Sequence, residues 1–164
     1  KLAEIFGKKE LAIIGSLISA GALIVAFIIH TTNVWVWVGL YAVVYVGNAL
    51  FNLVVWAMIT DVIDDTEVKT GERSDGTIYS VYSFARKLGQ AASSGITGIL
   101  LSIVGYTSAT AFDEKVVNGI YNITCLVPAI AFVLLALSMF FLYPLSKKVV
   151  IENSRILREK REGK

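Results

Sequence analysis

The chain has 164 residues, of which 55% are hydrophobic and 17% charged, and its formal net charge is +2. A soluble domain carries about 25% charged residues, whereas residues 11–60, 88–112 and 116–146 here contain no Asp, Glu, Lys or Arg. This composition excludes a soluble enzyme, a nucleic-acid-binding protein and a disordered tail, and it predicts an all-α membrane protein. The single cysteine, Cys125, lies in an apolar run and is interpreted as a packing residue. We expect no cofactor and no metal site.

Four segments are long and apolar enough to cross a bilayer, which takes about 20 mostly apolar residues. A polar tetrapeptide, His30–Asn33, separates the first two segments and suits a tight turn. The third is less apolar because it contains Arg86, Lys87 and Gln90, and the fourth contains Pro128, which is expected to kink it. The predicted spans are residues 11–29, 34–60, 77–104 and 117–142.

Positive charges predict the orientation of these spans. Of the fifteen Lys and Arg residues, twelve fall on one side of a four-span bundle, Lys115 falls on the other, and Arg86 and Lys87 lie within a span. Since cationic loops stay in the cytoplasm, residues 1–10, a loop of residues 61–76 and both termini are expected to be cytoplasmic, in a cell inner membrane. The tail, residues 144–164, is either an amphipathic helix at the inner face or a solvated segment. The chain begins at a lysine without Met, which suggests a fragment.

Lys87 is the most costly residue of the third span. It lies about 15 Å along the helix from the start of that span, where a cation costs about 2.5–3.5 kcal/mol to insert. We therefore expect it to face a wet cavity on a solute or ion pathway, with a salt bridge between helices as the alternative. Tyr79, Ser83 and Gln90 share its face. Arg86 is rotated by about 100° and is expected to snorkel or to pack against a neighbouring helix.

The second span carries a polar stripe of its own, formed by Asn48, Asn52 and Trp56 at helical spacing. Amides bind sugar hydroxyls, and an indole packs on the C–H face of a sugar, so the stripe suits a sugar site. The alternatives are hydrogen bonds between helices for the two amides and an ordinary interfacial position for the indole.

The segment of residues 61–76 contains six acidic and two basic residues. Asp61 and either Asp64 or Asp65 share a face and are candidates to accept hydrogen bonds from Lys69, from Arg73 or from a cation on another helix bundle. Glu67 is counted with them among the gate residues. We interpret the segment as a latch at the cytoplasmic gate, with a plain solvated loop as the alternative.

These residues form a longer pattern with specific spacing. It reads Trp56-x-x-x-Thr60-Asp61-x-x-Asp64-x-x-Glu67-x-Lys69-Thr70-Gly71-x-Arg73-x-Asp75-Gly76, then Tyr79-Ser80, Phe84-x-x-Lys87-x-Gly89-x-Ala91, Gly98 and Gly105-Tyr106. The pattern resembles the glycoside–pentoside–hexuronide:cation symporters of the major facilitator superfamily, the group that includes melibiose permease. The resemblance implies the last four of twelve helices, a cytoplasmic C-terminus, and transport of a sugar or glycoside with sodium, lithium or protons by alternating access.

The resemblance also implies roles for individual residues. Lys87 falls on the family's pocket lysine and Ser83 on a hydroxyl one turn earlier, while Asp61, Asp64 and Arg73 fall on an inner salt-bridge network. One position departs from the pattern: Asn52 stands where melibiose permease has a sugar-lining tryptophan. The family's cation-binding carboxylates lie in the N-terminal half, so the expected partners of this segment are a sugar, a cation held mainly elsewhere, and the lipid bilayer.

Two functions from different classes follow from the sequence. The first is a fragment of a cation-coupled sugar symporter, and this fragment is expected to be inactive alone. The alternative is a self-contained four-helix oligomeric membrane protein, either a small exporter or a structural subunit.

Overall fold

The computed structural model describes residues 6–163, and Lys1 and Lys164 of the charge count lie outside them. The described part of the chain contains no strand and confirms the all-α fold. Its helices are α1 (Lys8–Ile29), α2 (Val34–Thr70), α3 (Asp75–Ile103), α4 (Glu114–Leu142) and α5 (Lys147–Glu162).

Three of these helices, α1, α2 and α4, are long and apolar enough to cross a membrane. Helix α3 has 29 residues, which is long enough, but it is not among them. Arg86, Lys87 and Gln90 together with many small residues lower its hydropathy. Four membrane spans therefore stay a prediction.

Two helices extend beyond the ends of the predicted membrane spans, both at the same end of the bundle. Helix α2 continues ten residues beyond the predicted span end at Thr60, so most of the predicted loop of residues 61–76 is helical. Asp65 and Lys69 form an i,i+4 ion pair at 2.6 Å that supports this extension. The helix ends only at Gly71, whose φ of 80° favours glycine. Similarly, α1 begins at Lys8, within the predicted loop of residues 1–10.

The predicted turn between the first two spans is present. The Asn33 side chain accepts hydrogen bonds from the backbone N–H groups of Trp35 (2.9 Å) and Val36 (3.4 Å), which caps α2. His30 ends α1 in the left-handed region at φ 45°. This turn brings α1 and α2 side by side.

Small residues let α1 and α2 approach closely. A Cβ atom built on Gly15 would lie 2.5 Å from the Gly47 carbonyl oxygen, and one built on Gly47 would collide with Ser19 Oγ. The Ser19 hydroxyl is fully buried and donates to the Val44 carbonyl oxygen at 2.9 Å. In a membrane, close packing and such hydrogen bonds replace the hydrophobic effect as the force between helices.

Helix α1 contacts α4 as well as α2. Leu23 of α1, Val44 of α2 and Ala129 of α4 belong to one buried apolar cluster. The Tyr121 hydroxyl of α4 donates to the Ala26 carbonyl oxygen of α1 at 2.8 Å. These three helices form the packed part of the structure.

Helix α3 is different, because none of its residues is buried. It packs mainly on α2 near its own first turns, and Val104, just past its end, lies against Gly119 of α4. An apolar cavity of about 250 Å³ remains between α2, α3 and α4, lined among others by Tyr82 and Tyr143. Most of the surface of α3 is therefore open to a lipid tail or to another helix.

The close approach of α1 and α2 predicts the effect of one methyl group. Gly47→Ala should lower the midpoint of thermal unfolding in detergent, because overpacking typically costs about 1–3 kcal/mol. Gly39→Ala on the same helix is the matched control, since a Cβ there meets nothing within 4 Å. That control should leave the midpoint unchanged or raise it. Equal midpoints for the two variants would contradict the packing described.

Candidate functional site

The amides of the polar stripe on α2 bind each other. The Asn52 side-chain amide donates to the Asn48 side-chain oxygen at 3.1 Å and to its carbonyl oxygen at 2.9 Å. Both bonds lie within one helix, so the amides do not link two described helices. Asn52 is exposed, which leaves its side-chain carbonyl oxygen available on the surface of α2.

Trp56 is the point at which α2 meets α3. Its ring centroid lies 5.4 Å from that of Tyr82 and 6.4 Å from that of Tyr79. The Arg86 guanidinium carbon lies 6.0 Å from the Trp56 centroid, within the range of a cation–π contact. Of the predicted site residues, Trp56 and Tyr79 are thus brought together, and Tyr82 and Arg86 join them. We call these four residues the aromatic–arginine cluster.

The remaining residues of the predicted stripe on α3 are separate from this cluster. Ser83, Lys87 and Gln90 are all exposed. None of their side chains forms a hydrogen bond or an ion pair with any residue in the described range 6–163. Lys87 lies about 18 Å along the helix axis from Asp75, at 1.5 Å per residue. The expected partner or cavity of Lys87 is therefore not formed within the part of the chain that the structure describes.

Three of the predicted gate residues, Asp64, Glu67 and Arg73, meet at the end of the bundle where α1 and α3 begin and α2 ends, which we call the charged end. Arg73 donates from Nη1 to Glu67 Oε2 (2.9 Å) and Asp64 Oδ1 (3.0 Å), and from Nε to Asp75 Oδ2 (2.8 Å). The hydrogen bond to Glu67, followed by those to Asp64 and Asp75, raises the pKa of Arg73. One arginine thus joins the end of α2 to the start of α3.

Asp61 has a partner that the sequence analysis did not identify. Lys8 Nζ lies 2.6 Å from Asp61 Oδ1 and also donates to the Ala57 carbonyl oxygen at 3.4 Å. The Asp61 side chain is only 6% exposed, and its second oxygen, Oδ2, accepts no hydrogen bond. This pair joins the start of α1 to α2 and holds a buried carboxylate that no other described cation neutralises.

Helix α5 lies against the same end of α2. Leu157 is buried, and the Asn153 side-chain amide donates to Asp65 Oδ1 at 3.0 Å. Arg161 Nη2 lies 3.5 Å from Glu67 Oε2, the oxygen that also accepts from Arg73. Of the predicted tail alternatives, the structure therefore has a helix, and this helix turns polar as well as apolar side chains toward α2.

Several residues at these contacts escaped the sequence analysis: Lys8, Tyr82, Asn153 and Arg161. A signal existed for Lys8, since it precedes the first span while Asp61 follows the second, so both were expected at one membrane face. No comparable signal existed for Asn153, because the turn at residues 143–146 sets which residues of α5 face α2. Among residues 6–163, no three His, Cys, Asp or Glu side chains are grouped so as to hold a metal ion.

Comparison with known proteins identifies the family of the chain. A family model described as MFS/sugar transport protein matches residues 1–147. The chain is 40% identical over 149 residues to an uncharacterized symporter, YjmB, of Bacillus subtilis (strain 168), covering 89% of this chain and 32% of that protein.

Two relatives from Escherichia coli (strain K12) are also similar. The chain is 32% identical over 150 residues to a glucuronide carrier protein homolog, covering 89% of this chain and 33% of the relative. It is 31% identical over 143 residues to a putative sulfoquinovose importer, covering 87% of this chain and 30% of that relative. The chain thus spans about a third of the length of these curated relatives, and no solved structure matches it significantly. These similarities and the apolar helices indicate that the chain is part of a multi-pass membrane protein of a transporter family.

The Lys8–Asp61 pair can be tested with a double-mutant cycle. Lys8→Met leaves a buried carboxylate without a cation and should destabilise the protein by about 1–3 kcal/mol, less than a fully buried pair because Lys8 is 30% exposed. Asp61→Asn in the Lys8→Met background should recover part of that loss. Thermal unfolding of the wild type, both single variants and the double variant gives the coupling energy. Strictly additive effects would show that the pair contributes nothing.

Proposed function

This chain belongs to the MFS/sugar transport protein family, and from that premise we propose that it forms the last four spans of a cation-coupled sugar or glycoside symporter. Helices α1 to α4 would be spans nine to twelve. Transport would proceed by alternating access, with a second helix bundle supplied by the rest of the protein. Relatives whose names include a symporter and a putative glycoside/cation symporter support coupling to a cation.

The unpartnered Lys87 is the observation that carries this proposal. An ammonium group about 18 Å along a membrane helix is costly unless water or an opposite charge faces it. No group in residues 6–163 does so. A midplane site between two bundles, of the kind found in secondary transporters, supplies both a wet cavity and opposing side chains. We therefore place Lys87, Ser83, Gln90, Asn48, Asn52, Trp56 and Tyr79 at that site.

The charged end supports a gate at one mouth of the cavity. Its ion pairs join α1, α2, α3 and α5 without crossing the membrane interior, so they can hold this bundle as one body while it moves. Arg73 is 37% exposed, and its three carboxylate partners are only partly covered. Partly solvated pairs are weak enough to exchange partners. When the mouth closes, Asp61, Asp64 and Glu67 would therefore be suited to pair with cations of a second bundle, and Lys69 and Arg73 with its carboxylates.

The exposure of α3 favours a symporter over the alternative of a self-contained four-helix protein. A helix with no buried residue and two central cations gains little stability from packing within this chain. It needs a polar neighbour, which a second bundle supplies. We expect the 164 residues alone to transport nothing.

Topology gives a direct test of the proposed orientation. Cys125 is fully buried, so a cysteine introduced on the surface should dominate labelling. Lys160→Cys on α5 should react with an impermeant maleimide only after the cells are permeabilised. Ser108→Cys, in the segment between α3 and α4, is the matched control and should react in intact cells. If only the position 160 cysteine reacted in intact cells, the tail would lie outside the cell. Equal labelling of the two cysteines would contradict a four-span arrangement.

The complete transporter gives the test of function. Lys87→Ala should reduce sugar uptake driven by a sodium or proton gradient by about tenfold or more, since one lost charge-assisted contact is worth about 1.5–3 kcal/mol. Lys115→Ala, in an exposed position at the start of α4, is the matched control and should keep wild-type uptake. Uptake by right-side-out membrane vesicles, normalised to the amount of protein, is the measurement. Near-normal uptake by Lys87→Ala would remove Lys87 from the site.

A further inference from the structure

A basic cavity of about 150 Å³ lies where α1 and α5 begin and α4 ends, and the proposed function does not use it. Lysines and apolar side chains line it together: Lys8, Lys9, Lys147, Leu145, Val150 and Ile151. We call this cavity the lysine pocket. These lining residues belong to α1, to α5 and to the turn before α5, so the described chain itself brings them together.

The end of α4 holds Lys9 in place within the lysine pocket. The Lys9 ammonium group donates to the backbone carbonyl oxygens of Phe140 (3.0 Å) and Tyr143 (2.8 Å). Carbonyl groups at the end of a helix have no helical donor of their own, so a lysine is a suitable partner for them. Both acceptors are neutral, and the two bonds use two of the three N–H donors of the ammonium group. Lys9 thus has a fixed position and a donor suited to an anion.

The charges around the pocket are mainly positive. Lys148 follows Lys147 directly, which brings the number of lysines at this end of the bundle to four. Asp61 pairs with one of them, Lys8, at 2.6 Å. A second carboxylate, that of Glu10, lies at the rim, where its Oε2 would collide with a Cβ atom built on the glycine before α1. A group of lysines at a membrane surface attracts acidic lipid headgroups.

An apolar groove of about 250 Å³ lies between α1 and α4. It is lined by Ile24, Leu126, Ala129, Ile130, Val133 and Leu134. Leu134 precedes the end of α4 by eight residues, or about 12 Å along the axis, while half of the hydrocarbon core is about 15 Å deep. Leu137 and Phe141, 47% and 73% exposed, continue the apolar face of Leu134 toward the lysine pocket at helical spacing. An acyl chain whose headgroup lies at the pocket therefore reaches the groove.

From the pocket and the groove together we propose that an anionic phospholipid of the inner leaflet binds at this corner. Its phosphate contacts Lys9 and Lys147, and one acyl chain lies along the groove between α1 and α4. A soluble anion has no part that fits the groove, and a zwitterionic lipid lacks the net charge that the lysines select. The proposal depends on the cytoplasmic orientation given under the proposed function, but on neither the sugar nor the coupling ion.

The experiment compares two lipids with the same acyl chains and different headgroup charge. Binding of dioleoyl phosphatidylglycerol and of dioleoyl phosphatidylcholine to the complete transporter in detergent is measured by native mass spectrometry. The anionic lipid should bind at least about tenfold more tightly at the strongest site, since each lysine near a membrane surface contributes about fivefold. The double variant Lys9→Gln, Lys147→Gln should lose most of this ratio, while binding of the zwitterionic lipid should change by less than about threefold.

A charge-matched control separates a specific site from general attraction. The double variant Lys115→Gln, Lys160→Gln removes the same charge from two exposed positions away from the pocket and should keep the ratio within about twofold. Lys9→Arg retains the positive charge and should retain most of the affinity for the anionic lipid. An equal loss in the control would show unspecific attraction and overturn the proposal. Unchanged binding by the pocket variant, as expected if another part of the protein covers the pocket, would overturn it too.

The groove is tested by filling it. Ile130→Trp should weaken binding of phosphatidylglycerol by about fourfold or more, which is the worth of a single buried CH₂ group. Ile28→Trp, at a 73% exposed position of α1 outside the groove, is the matched control and should not. Equal binding by these two variants would remove the acyl chain from the groove and overturn the proposal.

A soluble probe decides between a lipid and a free anion. Glycerol 1-phosphate carries the phosphate without acyl chains and should not bind at concentrations at which phosphatidylglycerol saturates the site. Tight binding of glycerol 1-phosphate would identify a soluble anion as the ligand and overturn the lipid proposal. All of these measurements record binding and not uptake, so a negative result leaves the symporter proposal to its own test.

Discussion

The contact between α1 and α2 is the constraint on which the rest of the structure depends. Gly15 and Gly47 have no side chain, so the two helix backbones meet, and the buried Ser19 hydroxyl bonds across the contact. Helix α2 in turn contacts α3 and α5. The position of the α2 end, and of the acids on it, is therefore set by two glycines near the middle of the helices. A lipid-exposed bundle depends on such contacts because lipid tails are as apolar as the side chains they would replace.

The ion pairs at the charged end add polar contacts to this packed pair of helices. The Lys8–Asp61 pair joins the two helices that the glycine contact has aligned, whereas Arg73 joins α2 to α3 by binding acids on both sides of their turn. Glu67 accepts from both Arg73 and Arg161, so the tail helix and the α2–α3 turn share one carboxylate. A change in one of these contacts alters the electrostatics of the other. The arrangement connects the tail to the proposed gate through a single oxygen.

Helix α3 combines the least packing with two adjacent cations, Arg86 and Lys87, that have no ion-pair partner among residues 6–163. These two properties have one physical origin. Polar and small side chains make few apolar contacts within the chain, and two cations oppose insertion among apolar neighbours. The same side chains are the ones a polar substrate needs. In the proposed symporter, the helix that binds the sugar is thus the one that its own bundle stabilises least, which suits a helix at the boundary between two moving bodies.

Much of the architecture was predictable from the sequence. Uncharged runs at bilayer length predicted helices at α1, α2 and α4, the polar turn at His30–Asn33 marked their first boundary, and the charged motif at Asp61–Asp75 predicted that Arg73 would meet carboxylates. The helical extension of α2 to Thr70 was missed because a run of charges resembles a loop, whereas a pair such as Asp65–Lys69 stabilises a helix.

Composition and spacing determined that this chain is a helical membrane protein with a polar third helix, since hydropathy and periodicity are local properties of the chain. Only the tertiary structure decided that Lys8 is the partner of Asp61, that Asn153 of the tail binds Asp65, and that Arg86 rather than Lys87 lies over Trp56. Each of these contacts joins residues from two helices. The rotation and offset of one helix against another depend on side-chain packing between them, which spacing within a single helix does not encode.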